Sequence, residues 1–336
     1  MASDFGEAEA QEPRFVPLAD IDPGDERFRI STRRESGDLL ASIRRFGLRV
    51  PPLLTPAGSG FIIVSGFRRV SACRQLGWDS TAARVLPTAS AYACALMAVA
   101  ENSLERPLNL IETSRALNLL EQTAPEGQTT DPDASALGLP THPNVTGRLK
   151  RVCRLPSDIQ DGILEDTISF AMACELDRLD DDLGVTFACL FRRLKPSLNK
   201  QREIVSLVLE IAVRENIHPR QVLEECGLTP SMGRSEPDRN QEIHVLRRRL
   251  RQRRFPALVA AEHNFLALRQ RLRLSAGLQL TPPRDFEGTG FTLSLNFQTV
   301  EEVVRLRGKL DELINHPDFK ILLTGKGRGF ETPSDS

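Results

Sequence analysis

Ser65-Gly66-Phe67-Arg68-Arg69 joins an apolar strand, Phe61-Ile62-Ile63-Val64, to a helical run from Val70 to Leu76 that stops at Gly77. A small-residue turn that opens a helix leaves backbone N–H groups unpaired at the positive end of the helix dipole, which suits an anion. Two consecutive arginines add forked donors that match phosphate oxygens. The alternative is an ordinary strand–glycine–helix junction carrying two solvated arginines. These five residues alone do not separate the two.

Their neighbours narrow the choice. Upstream, Leu39 to Phe46 forms a short amphipathic helix closed by Gly47, followed by Pro51-Pro52-Leu53-Leu54. Downstream, an alanine-rich helix from about Ala89 to Ala100 runs into Glu101-Asn102-Ser103-Leu104-Glu105-Arg106-Pro107-Leu108-Asn109-Leu110-Ile111-Glu112. This order resembles the N-terminal domain of the ParB family of DNA partition proteins. That family's pattern runs Asn-Pro, helix-Gly, Pro, strand-Gly-Glu-Arg-Arg, then Glu-Asn-x-x-Arg-x-x-Leu-x-x-x-Glu. Asp22-Pro23 stands at the first element, and the likeness extends from residue 14 to about 180, with a fainter echo near the C-terminal end. The resemblance implies an α+β multidomain chain. It would combine a ParB/sulfiredoxin-like α/β N-terminal domain, an all-α helix-turn-helix middle and a small α+β C-terminal dimerisation module.

Length and composition are compatible with that. The 336 residues suffice for two or three cores, with 40% apolar and 26% charged residues, as in a soluble globular protein. No apolar run reaches membrane-spanning length, and the acidic, polar start (Met1 to Glu12) is unlike a signal or transit peptide. The six cysteines form no Cys-x-x-Cys pair and read mostly as core thiols of a reducing cytoplasm; none pairs with the five histidines at zinc spacing. A net charge of −1 does not announce a nucleic-acid binder, but its distribution is uneven. Nine arginines against one glutamate lie between His244 and Arg273, and Arg148, Lys150, Arg151 and Arg154 form a second cluster.

Along the chain the reading is a tail (1–13), a nucleotide-binding domain (14–103), a helix-turn-helix domain (104–195) and a helical extension (196–230). A linker with an arginine-rich helix (231–255), a strand-strand-helix module (256–325) and a final tail (326–336) follow. Asn109 and Glu112 predict a capped helix to Leu120, and the polar stretch from Thr123 to Asp133, with two prolines, interrupts the pattern. Ala134 to Pro140 and Val145 to Pro156 resemble the family's helix-turn-helix, with a shortened first helix. Leu149, Val152 and Cys153 would face inward and Arg148, Arg151 and Arg154 outward. A basic surface on a plain helical bundle is the alternative. Ser157 to Gln160 predicts a capping box, and Ile168 to Ala171 a further helix. Between Val245 and Arg254, Val245, Leu246 and Leu250 share one side of a helix whose arginines either meet phosphates or are simply solvated. Thr299 with Glu302 caps a last helix bearing Val303, Leu306, Leu310 and Leu313, in a unit small enough to need a second copy.

The resemblance implies chemistry as well. Relatives of this type bind CTP with Mg2+ and close a clamp around DNA. Carried over, Ser65, Gly66, Arg68, Arg69, Glu101, Asn102 and Arg106 would hold the nucleotide, with Glu101 and Asn102 serving the metal ion. Thr146, Arg148, Lys150, Arg151 and Arg154 would meet DNA. Two positions depart from the pattern. Phe67 replaces a glutamate tied in the family to hydrolysis, and phenylalanine neither orients water nor accepts a proton. Glu105 stands at the second box's arginine, with Arg106 beside it. The implied function is a homodimeric, sequence-specific, nucleoid-associated DNA-binding protein of plasmid or chromosome partition, with weak turnover of CTP. A ParA-type ATPase would be its partner, although the N-terminal tail is acidic where a basic segment is expected. A ParB-fold regulator or scaffold without turnover, and a ParB-like nuclease, are the alternatives. Against the sulfiredoxin type, no cysteine occupies the 66–69 turn.

Overall fold

The computed structural model describes residues 12–35, 37–86, 89–226, 239–286 and 290–324. Most of the N-terminal tail, the C-terminal tail and most of the expected linker lie outside them. Two compact units divide between Leu198 and Asn199.

The first unit opens with β1 (Arg14–Pro17), β2 (Ile21–Asp22), α1 (Gly37–Phe46), β3 (Leu53–Ala57), β4 (Gly60–Ser65), α2 (Phe67–Gln75) and β5 (Ser80–Val85). The five strands form one mixed sheet in the order β1-β5-β3-β4-β2. β3 and β4 make an antiparallel hairpin; β5 runs parallel to β3, and β2 parallel to β4. Ile62 through Ser65 are all buried, which explains why this stretch reads as an unbroken apolar run. The two-residue period sends alternate side chains into different cores. Leu53, Ile62 and Val64 pack with Phe28 and Ile30 on one face, while Leu54 and Ile63 meet Val70 and Cys73 of α2 on the other.

Helices complete the unit: α3 (Ala91–Glu105), α4 (Leu110–Thr123), α5 (Asp131–Ala136), α6 (Pro143–Val152), α7 (Ser157–Leu164), α8 (Phe170–Leu176) and α9 (Asp181–Leu194). The Asn109–Glu112 capping box forms as the sequence predicts. α5 begins inside the stretch read as an interruption, because Pro132 occupies the first turn, where a missing N–H costs no intrahelical bond. The capping box expected at Ser157 does not form: Ser157 is already helical, behind Pro156. Gln160 instead donates to the carbonyls of Cys153 (3.2 Å) and Leu155 (2.7 Å), holding the preceding turn.

α4 and α6 are joined by polar as well as apolar contacts. The buried Asn118 donates to the Lys150 carbonyl (2.7 Å) and accepts from Arg154 (2.8 Å), while the Ser114 hydroxyl accepts from the Cys153 N–H (2.9 Å). Buried polar groups must find such partners.

The second unit holds most of α10 (Leu198–Glu215), then α11 (Pro219–Glu225), α12 (Arg239–Arg254) and α13 (Pro256–Leu272). β6 (Leu278–Thr281), β7 (Thr292–Leu295), α14 (Val300–Asn315) and α15 (Pro317–Thr324) follow. α12 buries Ile243, Leu246 and Leu250, with Val245 only half-buried. Its arginines largely do neither of the things the sequence suggests. Arg247 pairs with Glu203 (2.6 Å), Arg253 with Glu215 (2.6 Å) and Glu225 (2.7 Å), and Arg254 with Glu210 (2.7 Å). They bind α12 to α10 and α11. β6 and β7 form an antiparallel pair, and Thr299 caps α14, whose Leu306 and Leu313 are buried while Val303 is exposed. Among the described residues no helix is long and apolar enough to cross a membrane.

Replacing Asn118 by alanine strips partners from Arg154 and the Lys150 carbonyl. It should destabilise the first unit by about 1–3 kcal/mol in a denaturant titration, and an unchanged midpoint would show that the α4–α6 polar tie contributes nothing.

Candidate functional site

A cavity of about 280 Å³ opens where the β4–α2 turn faces the last turns of α3. Ser65, Gly66, Arg68, Arg69, Glu101, Asn102 and Arg106, the seven residues assigned to nucleotide from the sequence, all line it. Gly66 makes the turn possible. Its φ of +96° belongs to the left-handed region, and a Cβ there would lie 2.9 Å from the Cβ of Pro52. The first helical N–H groups of α2 have no capping side chain. They therefore present donors and a positive dipole end toward the cavity.

The two arginines of the turn are neither loose nor equivalent. Arg69 is mostly buried and donates to the carbonyls of Val50 (3.2 Å) and Pro51 (3.0 Å), with the Glu101 carboxylate 3.6 Å away. Arg68 donates to the Glu35 carbonyl at 2.7 Å. Glu101 also pairs with Arg84, and Asn102 donates its amide to the Ala98 carbonyl (2.8 Å). Phe67 lies beneath the Arg29 guanidinium, 5.5 Å from ring centre to carbon, and both face the cavity.

Three lining arginines escaped the sequence reading: Arg29, Arg33 and Arg49. No motif marks them; the one available signal is that Arg49 closely follows the helix–Gly47 element. Arg33 and Arg49 have no carboxylate partner among the described residues. With these three the cavity wall carries, among the described residues, six arginines and one carboxylate.

Arg106 reaches the wall because α3 ends at Glu105. Arg106 itself is extended (φ −166°, ψ 162°), as a residue before proline prefers. The Glu105 side chain lies outside the described part of the structure. Arg106 forks onto Glu112 at 2.8 and 2.6 Å, and Glu112 is completely buried. Burial pushes this carboxyl up, but Arg106 and the N–H groups of Thr32 and Asn109 outweigh it and hold it at about 2, against an ordinary 4.5.

The residues assigned to DNA sit on and just after α6. Arg148, Arg151 and Arg154 are exposed, while Leu149 and Val152 face the core and Cys153 is half-buried. Each cation has a partner within the chain. Arg148 covers the Phe170 ring (5.5 Å), Lys150 meets Glu121 (2.8 Å), Arg151 meets Asp177 (2.7 Å) and Arg154 meets Asn118. Thr146 donates to the Pro143 carbonyl at 3.2 Å. Cys73 is buried in α2 and does not line the cavity.

A carboxyl more acidic in the folded chain stabilises the fold above its unfolded value and loses that contribution as pH falls. Glu112 should therefore contribute about 3 kcal/mol near neutrality, fading between about pH 4.5 and 2. Wild type and Glu112→Gln should differ most in stability above pH 5 and converge towards pH 2. A gap independent of pH would contradict this.

Residues 3–103 match the family model of the ParB N-terminal domain. No curated protein matches the chain. Among solved structures, the C-terminally truncated chromosome-partitioning protein ParB from Caulobacter crescentus, complexed to the centromeric parS site, is 17% identical with a TM-score of 0.33. That match covers 56% of this chain and 96% of the other. The same protein complexed with CTP-γ-S is 22% identical (TM-score 0.25, 53% of this chain, 98% of the other). A Pnob8-like ParB-N domain is 14% identical (TM-score 0.31, 71% and 96%). The family model identifies residues 3–103 of this chain as a ParB N-terminal domain.

Proposed function

We propose that the chain is a DNA-binding protein of plasmid or chromosome partition whose N-terminal cavity takes CTP. The observation that carries this reading is the cavity wall, where, among the described residues, six arginines and an uncapped helix start face a single carboxylate. Such a wall favours a polyanion, and a triphosphate offers the charge to match it. The donor set also suits Mg2+. Glu101 offers a carboxylate at the wall, and Asn102 has its amide nitrogen, not its oxygen, engaged. A magnesium ion takes one or two such oxygens together with phosphate and water, and when bound it would neutralise part of the phosphate charge.

Phe67 supplies no group to activate water, and Arg29 rests on its ring. CTP is therefore a ligand that stays bound, with slow turnover. The same residue favours a second reading, a regulator or scaffold with the ParB fold and no turnover at all. A nuclease has less to rest on: among the described residues no three His, Cys, Asp or Glu side chains gather where a metal ion could sit.

α5, the 137–142 turn and α6 act as the helix-turn-helix in this reading, with the exposed arginines of α6 on DNA. Homodimerisation runs through the C-terminal module. Its sheet has two strands, and α14 leaves Val300 (75%), Val304 (67%) and Ile314 (47%) open to solvent. Nucleoid association follows from DNA binding, and a ParA-type ATPase would be the partner in segregation.

Calorimetry with CTP and Mg2+ should detect binding, weakened about tenfold or more by Arg68→Ala; no heat with wild type would sink the nucleotide reading. Trp78 does not line the cavity, so its fluorescence is a poor reporter. Duplex DNA binding should weaken steeply with salt, and Arg148→Ala or Arg151→Ala should each lower the log–log salt slope by about 1. Wild-type protein that ignores DNA at low salt, with and without CTP, would refute the DNA reading.

A further inference from the structure

Glu112 accepts more than a helix cap requires. Its oxygens take the Thr32 N–H (2.9 Å) and hydroxyl (3.1 Å), both ends of the Arg106 fork, and the Asn109 N–H (3.1 Å). Capping α4 uses only the last of these. Arg106 and the residues flanking Thr32 (Arg29, Ile30, Ser31 and Arg33) contribute to the cavity wall. Arg115, one turn along α4, adds bonds to the carbonyls of Ile30 and Ser31, each 3.3 Å.

Arg106 needs such support. It lies beyond the end of α3 in extended backbone. A long arginine there would lose much rotamer freedom on meeting a phosphate, and fixing it beforehand removes that cost from binding. A buried carboxylate facing an arginine at the edge of a cavity does this. A lysine would not replace it, since only guanidinium forms the planar fork.

We propose that Glu112 is a positioning residue of the nucleotide pocket: it holds Arg106 and the 29–33 wall in place for the phosphates without touching the ligand. This deepens the nucleotide reading above and depends on it. The chemistry recognised is a polyphosphate, so the effect should fall on CTP and spare CMP.

The test is calorimetry on the full-length protein with Mg2+, titrating CTP directly and CMP by displacement. Glu112→Gln keeps the shape but offers an amide N–H to the Arg106 donors. It should weaken CTP about tenfold while CMP is unchanged. Arg106→Gln should do the same, and the double variant should be no worse than either single one. A merely structural role predicts a lower melting temperature with equal losses for both nucleotides, or no loss at all, and either result overturns the proposal. If Glu112→Gln melts below the assay temperature, Glu112→Asp is read in the same way. A severalfold fall in the CTP-to-CMP affinity ratio supports the proposal, and an unchanged ratio overturns it. Wild type that binds neither nucleotide removes the pocket reading and this role together. Wild type that prefers CTP, with a variant that prefers it equally, removes this role alone.

Discussion

The left-handed backbone of Gly66, pressed against Pro52, is the constraint on which the first unit's cavity rests. It turns the buried strand β4 directly into α2, so the helix start and Arg69 arrive on the same side as the end of α3. Any side chain at 66 would collide with Pro52, next to the Val50 and Pro51 carbonyls that anchor Arg69. Strand, turn and anchor form one rigid corner. Its rigidity matters because an anion site is useful only when its donors are held before the anion arrives.

Charge is managed differently in the two units. At the cavity, arginines outnumber carboxylates among the described residues, and Arg68 and Arg69 are held by carbonyl oxygens, which orient a guanidinium without neutralising it. Glu26, Glu101 and Glu112 pair with Arg29, Arg69 and Arg106, and Glu101 and Glu112 each tie two or more segments together. Around α12 the opposite holds. Its arginines meet carboxylates of α10 and α11, so a segment that looks like a basic arm is largely a neutralised helix seam. A count of arginines along the chain cannot tell these cases apart, because the partners lie tens of residues away in sequence.

The α4 helix shows how a single element serves two neighbourhoods. Its first turn grips the cavity wall through Glu112, and its later turns hold α6 through Ser114 and Asn118. All three side chains are buried and polar, a costly arrangement unless every group is satisfied, and here each one finds partners.

The sequence by itself determined what local rules govern: the strand–glycine–helix corner, the Asn109–Glu112 cap and the inward face of α6. Those features depend on periodicity, capping and ordered motifs, all visible within a few residues. It misjudged Pro132 and Ser157, where a proline opens a helix and another displaces a cap. Only the tertiary structure decided which arginines are exposed, paired or turned inward. It also brought Arg29, Arg33 and Arg49 to the wall, returned Arg106 there beyond the end of α3, and buried Glu112 against Thr32. The physical reason is that a charge's role is fixed by what it faces across space, and facing residues are chosen by packing rather than by spacing along the chain.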